Sequence, residues 1–196
     1  IKSFNTYGAD SVGIGPSLFG IAEAMGTKLT YPHDGIPYVS QPILSDWKHF
    51  SRLFPANPYR DGRLPLFLET LQRINDKIGD QVGIGSSAGG PFTTAAAIRG
   101  TECFLKDMRK NPEMVHRLLE LVTESTLRYI DAVCDLGFKP SLADPVASGT
   151  LISAAQFREF AKPYLKICAD RIKSRCGSGP MLHICGNSSR IWHDMV

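Results

Sequence analysis

Four short apolar runs, at residues 11–14, 81–86, 139–144 and 180–185, each end in glycine, aspartate or a polar cluster and give way to longer stretches of helical period. The clearest helix opens at Asn111, a good N-cap, with Pro112 in the first helical position and Gly137 as its stop. Val115, Leu118, Leu119, Val122, Tyr129, Val133 and Leu136 recur at three-to-four spacing and mark its buried face. A second helix begins at Ser153, where Gln156 three residues on completes a capping box. Its apolar stripe is Phe157, Phe160, Tyr164, Cys168 and Ile172, and Gly177 closes it. Pro163 inside that stripe predicts a kink or interruption. Further helices are expected over 18–25 and 66–78, an ordered loop or small hairpin over 31–42, and an amphipathic helix from 188 that leaves Ile191, Trp192 and Met195 seeking partners.

Strands separated by long helices must pair in parallel, because no tight turn joins parallel neighbours. The fold class is therefore α/β. Polar residues stand where the strands are expected to end, at Ser86, Ser87, Asp144, His183 and Cys185, which is where a (β/α)8 barrel carries its site. A doubly wound sheet also binds ligands at its strand ends, so periodicity leaves both architectures open.

With 43% hydrophobic residues, the 196-residue chain can bury one substantial core and is expected to be a single domain. Lys and Arg number 22 against 19 Asp and Glu, and no run of like charge forms a basic arm, which argues against nucleic acid as a partner. No apolar run approaches the roughly 18 residues of a membrane span, and the first residues lack the apolar core of a secretory signal, so no membrane partner and a cytoplasmic location are expected. The 5 cysteines, odd in number and scattered, suit reduced thiols. Ile1 is not an initiator methionine and the last residues break off inside an apolar pattern, so residues 1–196 are expected to be a piece of a domain cut at both ends.

The sharpest chemical signal is Met181-Leu182-His183-Ile184-Cys185-Gly186-Asn187. Strand alternation sends His183 and Cys185 to one face and Leu182 and Ile184 to the other. An imidazole nitrogen beside a thiolate is half of a tetrahedral zinc site. The same spacing also arises from a packed histidine next to an inert buried thiol. The glycine- and serine-rich stretch 85–90 lacks the Lys-Ser/Thr of a nucleotide loop, and His33, His49, His116 and His193 have no partner spacing that suggests chemistry.

The order and spacing of several short pieces carry a resemblance. They are Ala9-Asp10-Ser11-Val12, Glu23-Ala24-Met25-Gly26, Gly89-Gly90-Pro91-Phe92-Thr93 with Arg99-Gly100, Ala143-Asp144-Pro145 with Leu151-Ile152-Ser153, Pro163-Tyr164, and His183-Ile184-Cys185-Gly186-Asn187. Together they resemble the uroporphyrinogen decarboxylase-like superfamily, and within it the zinc-dependent corrinoid methyltransferases. The resemblance implies a (β/α)8 TIM barrel, here an incomplete fragment. It also implies that His183 and Cys185 bind zinc with a second cysteine beyond Val196. A carboxylate completes the shell in some members, with Glu102 the first candidate and Asp144 the second; Glu102 reads alternatively as a first-turn acid favoured by the helix dipole. Asp144 is expected to touch substrate or the zinc shell, or else to cap the turn that follows it.

The same comparison separates two chemistries. Ser17 stands where the decarboxylases place the aspartate that orients the pyrrole nitrogens, and Ala95, Ala96 and Ala97 occupy the stretch where they carry a tyrosine. The function so implied is zinc-assisted methyl transfer between a corrinoid protein and a small substrate: a thiol, a methyl ether, methanol or a methylamine. The zinc acts as a Lewis acid and the corrinoid cofactor, such as methylcobalamin, is carried by a partner protein. Cofactor-free uroporphyrinogen decarboxylation is the alternative from the same fold, and a non-catalytic corrinoid-binding relative is the third.

Overall fold

The computed structural model describes residues 1–195, Ser3 in its backbone only. Four strands form one parallel sheet in chain order: β1 (Ser11–Gly13), β4 (Gly83–Gly89), β5 (Pro140–Ala143) and β6 (Leu182–His183). Between the first two lies an antiparallel hairpin of β2 (Lys28–Thr30) and β3 (Tyr38–Gln41), which answers the choice left open for 31–42. Each barrel strand is laid beside its predecessor with helices on the outer face, and the arc so formed is part of a (β/α)8 barrel.

The helices are α1 (Lys2–Tyr7), α2 (Gly20–Ala24), α3 (Leu64–Ile78), α4 (Pro91–Arg99), α5 (Thr101–Lys110), α6 (Pro112–Asp135), α7 (Ala154–Gln156) and α8 (Lys162–Cys176). On α6 the stripe foreseen from spacing is buried, from Val115 to Val133. Asn111 occupies the N-cap position but makes no capping bond; its side-chain amide donates to Asp107 Oδ1 at 3.0 Å. The Ser153–Gln156 capping box is present in both directions, at 2.9 and 3.2 Å. The interruption expected from Pro163 is a π-helical turn, Phe157–Ala161, after which Pro163 sits in the first turn of α8, where its missing N–H costs no helical bond. The terminal pattern folds as a 3-10 turn, Ser189–Asp194, with Ile191 fully buried.

Helix α4 was not foreseen from the pattern. Its residues Pro91 to Ile98 are all buried, so it has no solvent-facing polar side and no amphipathic period to betray it. Ala95, Ala96 and Ala97 lie inside this core helix. Beside it, Gly89 closes β4 so tightly that a Cβ there would stand 2.2 Å from the Leu18 carbonyl oxygen, which lets the loop after β1 rest on the strand. Among the described residues no helix is long and apolar enough to cross a membrane.

Candidate functional site

The strand register aligns Gly89 with Ala143 and Ala143 with His183, so the C-terminal ends of β4, β5 and β6 finish level. Loops leaving this edge carry Ser17, Gly90, Asp144 and Cys185. His183 and Cys185 are exposed on the same side, with His183 Nε2 2.9 Å from Cys185 Sγ, while Ile184 is buried in the core and Leu182 packs against it. Alternation in the short strand produces this arrangement.

The segment after the pair is held by the loop that follows β5. Gly186 takes φ 76°, and a Cβ there would lie 2.6 Å from Thr150 Oγ1 and 2.7 Å from Ser148 Oγ. The Asn187 amide donates to Thr150 Oγ1 at 2.9 Å. A turn that only glycine enters without strain, anchored by a hydroxyl from the neighbouring loop, therefore fixes the chain immediately past Cys185.

Asp144 is fully buried, and neither the following turn nor open solvent receives its carboxylate. Oδ1 accepts from the Thr93 amide and hydroxyl, each at 2.6 Å, and Oδ2 accepts from the Phe92 amide at 3.2 Å. It thus caps the N-terminus of α4, 51 residues earlier in the chain, and not the turn that follows it. Burial pushes its pKa from 3.8 up to about 6, against the opposing pull of the hydrogen bonds from Thr93 and Phe92. Ser86, expected at a strand end, lies mid-strand and faces outward, 3.0 Å from the buried Tyr129 hydroxyl on α6.

Glu102 is not brought to His183 and Cys185. It stands in the first turn of α5, beyond the whole of α4, with its side chain 80% exposed and paired to Lys106 one turn on. No cluster of three His, Cys, Asp or Glu suited to a metal occurs among the described residues. The chemistry of the pair itself suits zinc: one borderline nitrogen donor and one soft sulfur donor, both exposed and adjacent. Two donors on a tetrahedral zinc stand roughly 3.5 Å apart, so the pair need open by well under 1 Å.

Sequence reasoning missed Thr93 as the partner of Asp144 and missed Ser148 and Thr150 as supports of the Cys185 turn. Both relations join residues distant in sequence, and neither leaves a local pattern.

A parallel arc of this kind, with its polar residues on the loops at one end, defines part of an α/β barrel. The chain belongs to the uroporphyrinogen decarboxylase (URO-D) family, whose profile matches residues 1–196. The methylcobamide:CoM methyltransferase MtaA of Methanosarcina barkeri is 28% identical over 201 residues, covering 100% of this chain and 57% of its own length. A uroporphyrinogen decarboxylase of Prochlorococcus marinus is 27% identical over 195 residues, covering 96% of this chain and 54% of its own. A solved methyltransferase from Methanosarcina mazei superimposes with a TM-score of 0.88 at 29% identity, over 98% of this chain and 56% of that one. The chain therefore spans little more than half the length of these relatives.

Proposed function

We propose that this chain supplies part of the active site of a zinc-dependent methyltransferase that moves a methyl group between a corrinoid protein and a small substrate. The observation that carries the reading is the His183–Cys185 pair, set side by side and open to solvent at the C-terminal edge of the sheet. Relatives named methylcobamide:CoM methyltransferase support a corrinoid as one methyl partner and favour a small thiol of the coenzyme M kind as the other. Methanol, methylamine and methyl ether chemistry fall behind it. Bound zinc would supply Lewis acidity, holding a substrate thiol as thiolate near neutral pH.

The chain's own residues have simpler tasks. Cys185 presents a sulfur and His183 the lone pair of Nε2, with Ile184 locked in the core so that the strand cannot rotate them away. The remaining ligand is expected from a cysteine later in the full-length protein. Glu102, exposed and paired with Lys106, would have to leave that pair and cross to β6, so His183 and Cys185 are the donors retained.

Uroporphyrinogen decarboxylation is the second reading, favoured by relatives of that name at nearly the same identity. Against it stands Ser17, an uncharged hydroxyl in the loop after β1 where the resemblance places the decarboxylase carboxylate. Zinc content of the full-length protein, with a methyl-transfer assay from methylcobalamin to a small thiol, tests the choice. Stoichiometric zinc and thiol methylation are expected; a zinc-free protein that decarboxylates a porphyrinogen overturns the proposal.

A further inference from the structure

Toward the ends of α6 and α8 that lead into the starts of β5 and β6, ion pairs join the two helices. Arg171 pairs with Asp131, and Arg175 reaches both Asp131, at 3.4 Å, and Asp135. Beside these pairs two free thiols face each other: Cys134, in the last turn of α6, and Cys176, the final residue of α8, with sulfurs 3.6 Å apart. Each is partly exposed, and they are 42 positions apart in sequence.

We propose that Cys134 and Cys176 form a reversible intramolecular disulfide, an oxidation site distinct from the His183–Cys185 pair. The sulfurs must close from contact distance to a bond of about 2.0 Å. Both lie at helix ends, where the backbone yields most easily: Gly177 follows Cys176 with φ 76°, and Gly137 follows shortly after Cys134 with φ 84°. The ion pairs set the axial register of the two helices, so the thiols meet without a search. All five cysteines are free thiols, as their number and scatter suggested, and the facing of Cys134 and Cys176 is what separates a poised pair from the other three.

The oxidant is a small-molecule disulfide. The Cys176 thiolate attacks one sulfur of RS–SR, releasing RS⁻ and leaving a mixed disulfide on Cys176. The Cys134 thiol then gives up its proton and attacks the Cys176 sulfur, displacing the second RS⁻. Two protein thiols are oxidised, one RS–SR is reduced to two RSH once the thiolates are protonated, and nothing else is required. Cys134 serves as the resolving thiol because burial, with the hydrogen bond it shares with Cys176, raises its pKa.

The bond would pin the start of the connection from α8 to β6, the strand bearing His183. Full-length protein is treated with excess oxidised glutathione, its remaining thiols alkylated under acid, and the digest mapped by mass spectrometry. A linked Cys134–Cys176 peptide is expected in most molecules, reversed by dithiothreitol. The melting temperature should rise by about 5 °C or more, a shift absent from the Cys134→Ser and Cys176→Ser variants. Recovery of Cys134 and Cys176 as separately alkylated or separately glutathionylated peptides overturns the proposal. So does a cross-link from either residue to Cys185 or Cys168 in its place.

Discussion

Asp144 grips Thr93 twice, its Oδ1 accepting at 2.6 Å from the amide and again at 2.6 Å from the hydroxyl, and this joins the end of β5 to the start of α4. The same hydroxyl oxygen accepts from the Val146 amide at 3.1 Å. Thr93→Val therefore strands one amide and removes one donor from a buried carboxylate. A loss of about 2–3 kcal/mol in stability is expected, read by urea unfolding of the full-length protein. A loss below about 0.5 kcal/mol would show that the pair is dispensable.

The carboxyl of Asp144 also imposes a pH dependence with an unusual sign. Its pKa in the folded chain, about 6, lies above the ordinary 3.8 because burial outweighs its hydrogen bonds. The folded state then holds this proton where the unfolded chain has lost it. The favourable contribution is complete below about pH 4 and fades as pH rises through about 6, by on the order of 2–3 kcal/mol. Asp144→Asn, which does not titrate, removes this slope. Unfolding free energies of wild type and variant at pH 4.5 and 7.5 should differ in that direction, and a wild type that gains relative to the variant on raising pH contradicts the assignment.

A second buried carboxylate ties α4 to α5. Asp107 accepts from Arg99 Nε at 2.8 Å, Trp47 Nε1 at 3.0 Å and Asn111 Nδ2 at 3.0 Å. Arg99 also donates to the Leu44 and Ser45 carbonyls, at 3.0 and 2.8 Å. With the two side chains only 11% and 7% exposed, Asp107→Ala leaves a guanidinium buried without its counter-charge. About 3–5 kcal/mol of destabilisation is expected by chemical denaturation, against no resolvable change for Glu102→Ala, whose ion pair is in solvent.

The parts of this fold that were legible in sequence are those with a one-sided environment. The α6 stripe, the Ser153–Gln156 box and the alternation of Leu182, His183, Ile184 and Cys185 follow from local period and local hydrogen bonding, and the structure contains each of them. Strand β4 was misplaced toward its N-terminus because Ala88 and Gly89 are too small to read as apolar strand residues, yet both are buried. Helix α4 was missed because Pro91 to Ile98 are buried all round, threonines included, so no exposed polar face gives it an amphipathic period. The role of Asp144 was beyond local reading, since its three donors lie on a helix 51 to 52 residues earlier. Family resemblance located its position but not its orientation.

Gly186 tests whether the turn beyond Cys185 matters for metal retention. Alanine there would adopt φ 76° and meet the Thr150 and Ser148 hydroxyls at 2.6 and 2.7 Å. Backbone strain of about 1–2 kcal/mol is expected, with displacement of Thr150 from the Asn187 amide. In the full-length protein, Gly186→Ala should weaken zinc retention against a chelator by tenfold or more while the fold persists by circular dichroism. Unchanged zinc affinity in a destabilised variant would assign the turn to folding alone.

Ser17 and Cys185 stand on loops at the same edge of the sheet, and replacing each in turn separates the two chemistries this fold supports. Ser17 is exposed and, with φ 57°, holds a left-handed backbone conformation, the sole non-glycine residue with positive φ among those described. A porphyrinogen presents four inward N–H donors, for which a carboxylate is the fitting acceptor and a hydroxyl a poor one. Ser17→Ala should therefore cost methyl transfer less than roughly tenfold, about 1.4 kcal/mol. Cys185→Ala removes an anionic sulfur donor and leaves His183 as the single donor of its strand, so zinc content and methyl transfer should fall together to background. His183→Ala should give the same joint loss. Ser17→Gly separates strain from chemistry, because glycine accepts φ 57° freely and should raise stability by up to about 1 kcal/mol while activity stays within the same tenfold limit. If Cys185→Ala keeps full activity while Ser17→Ala abolishes it, zinc at β6 is not the reacting centre, and the chemistry belongs to the loop after β1.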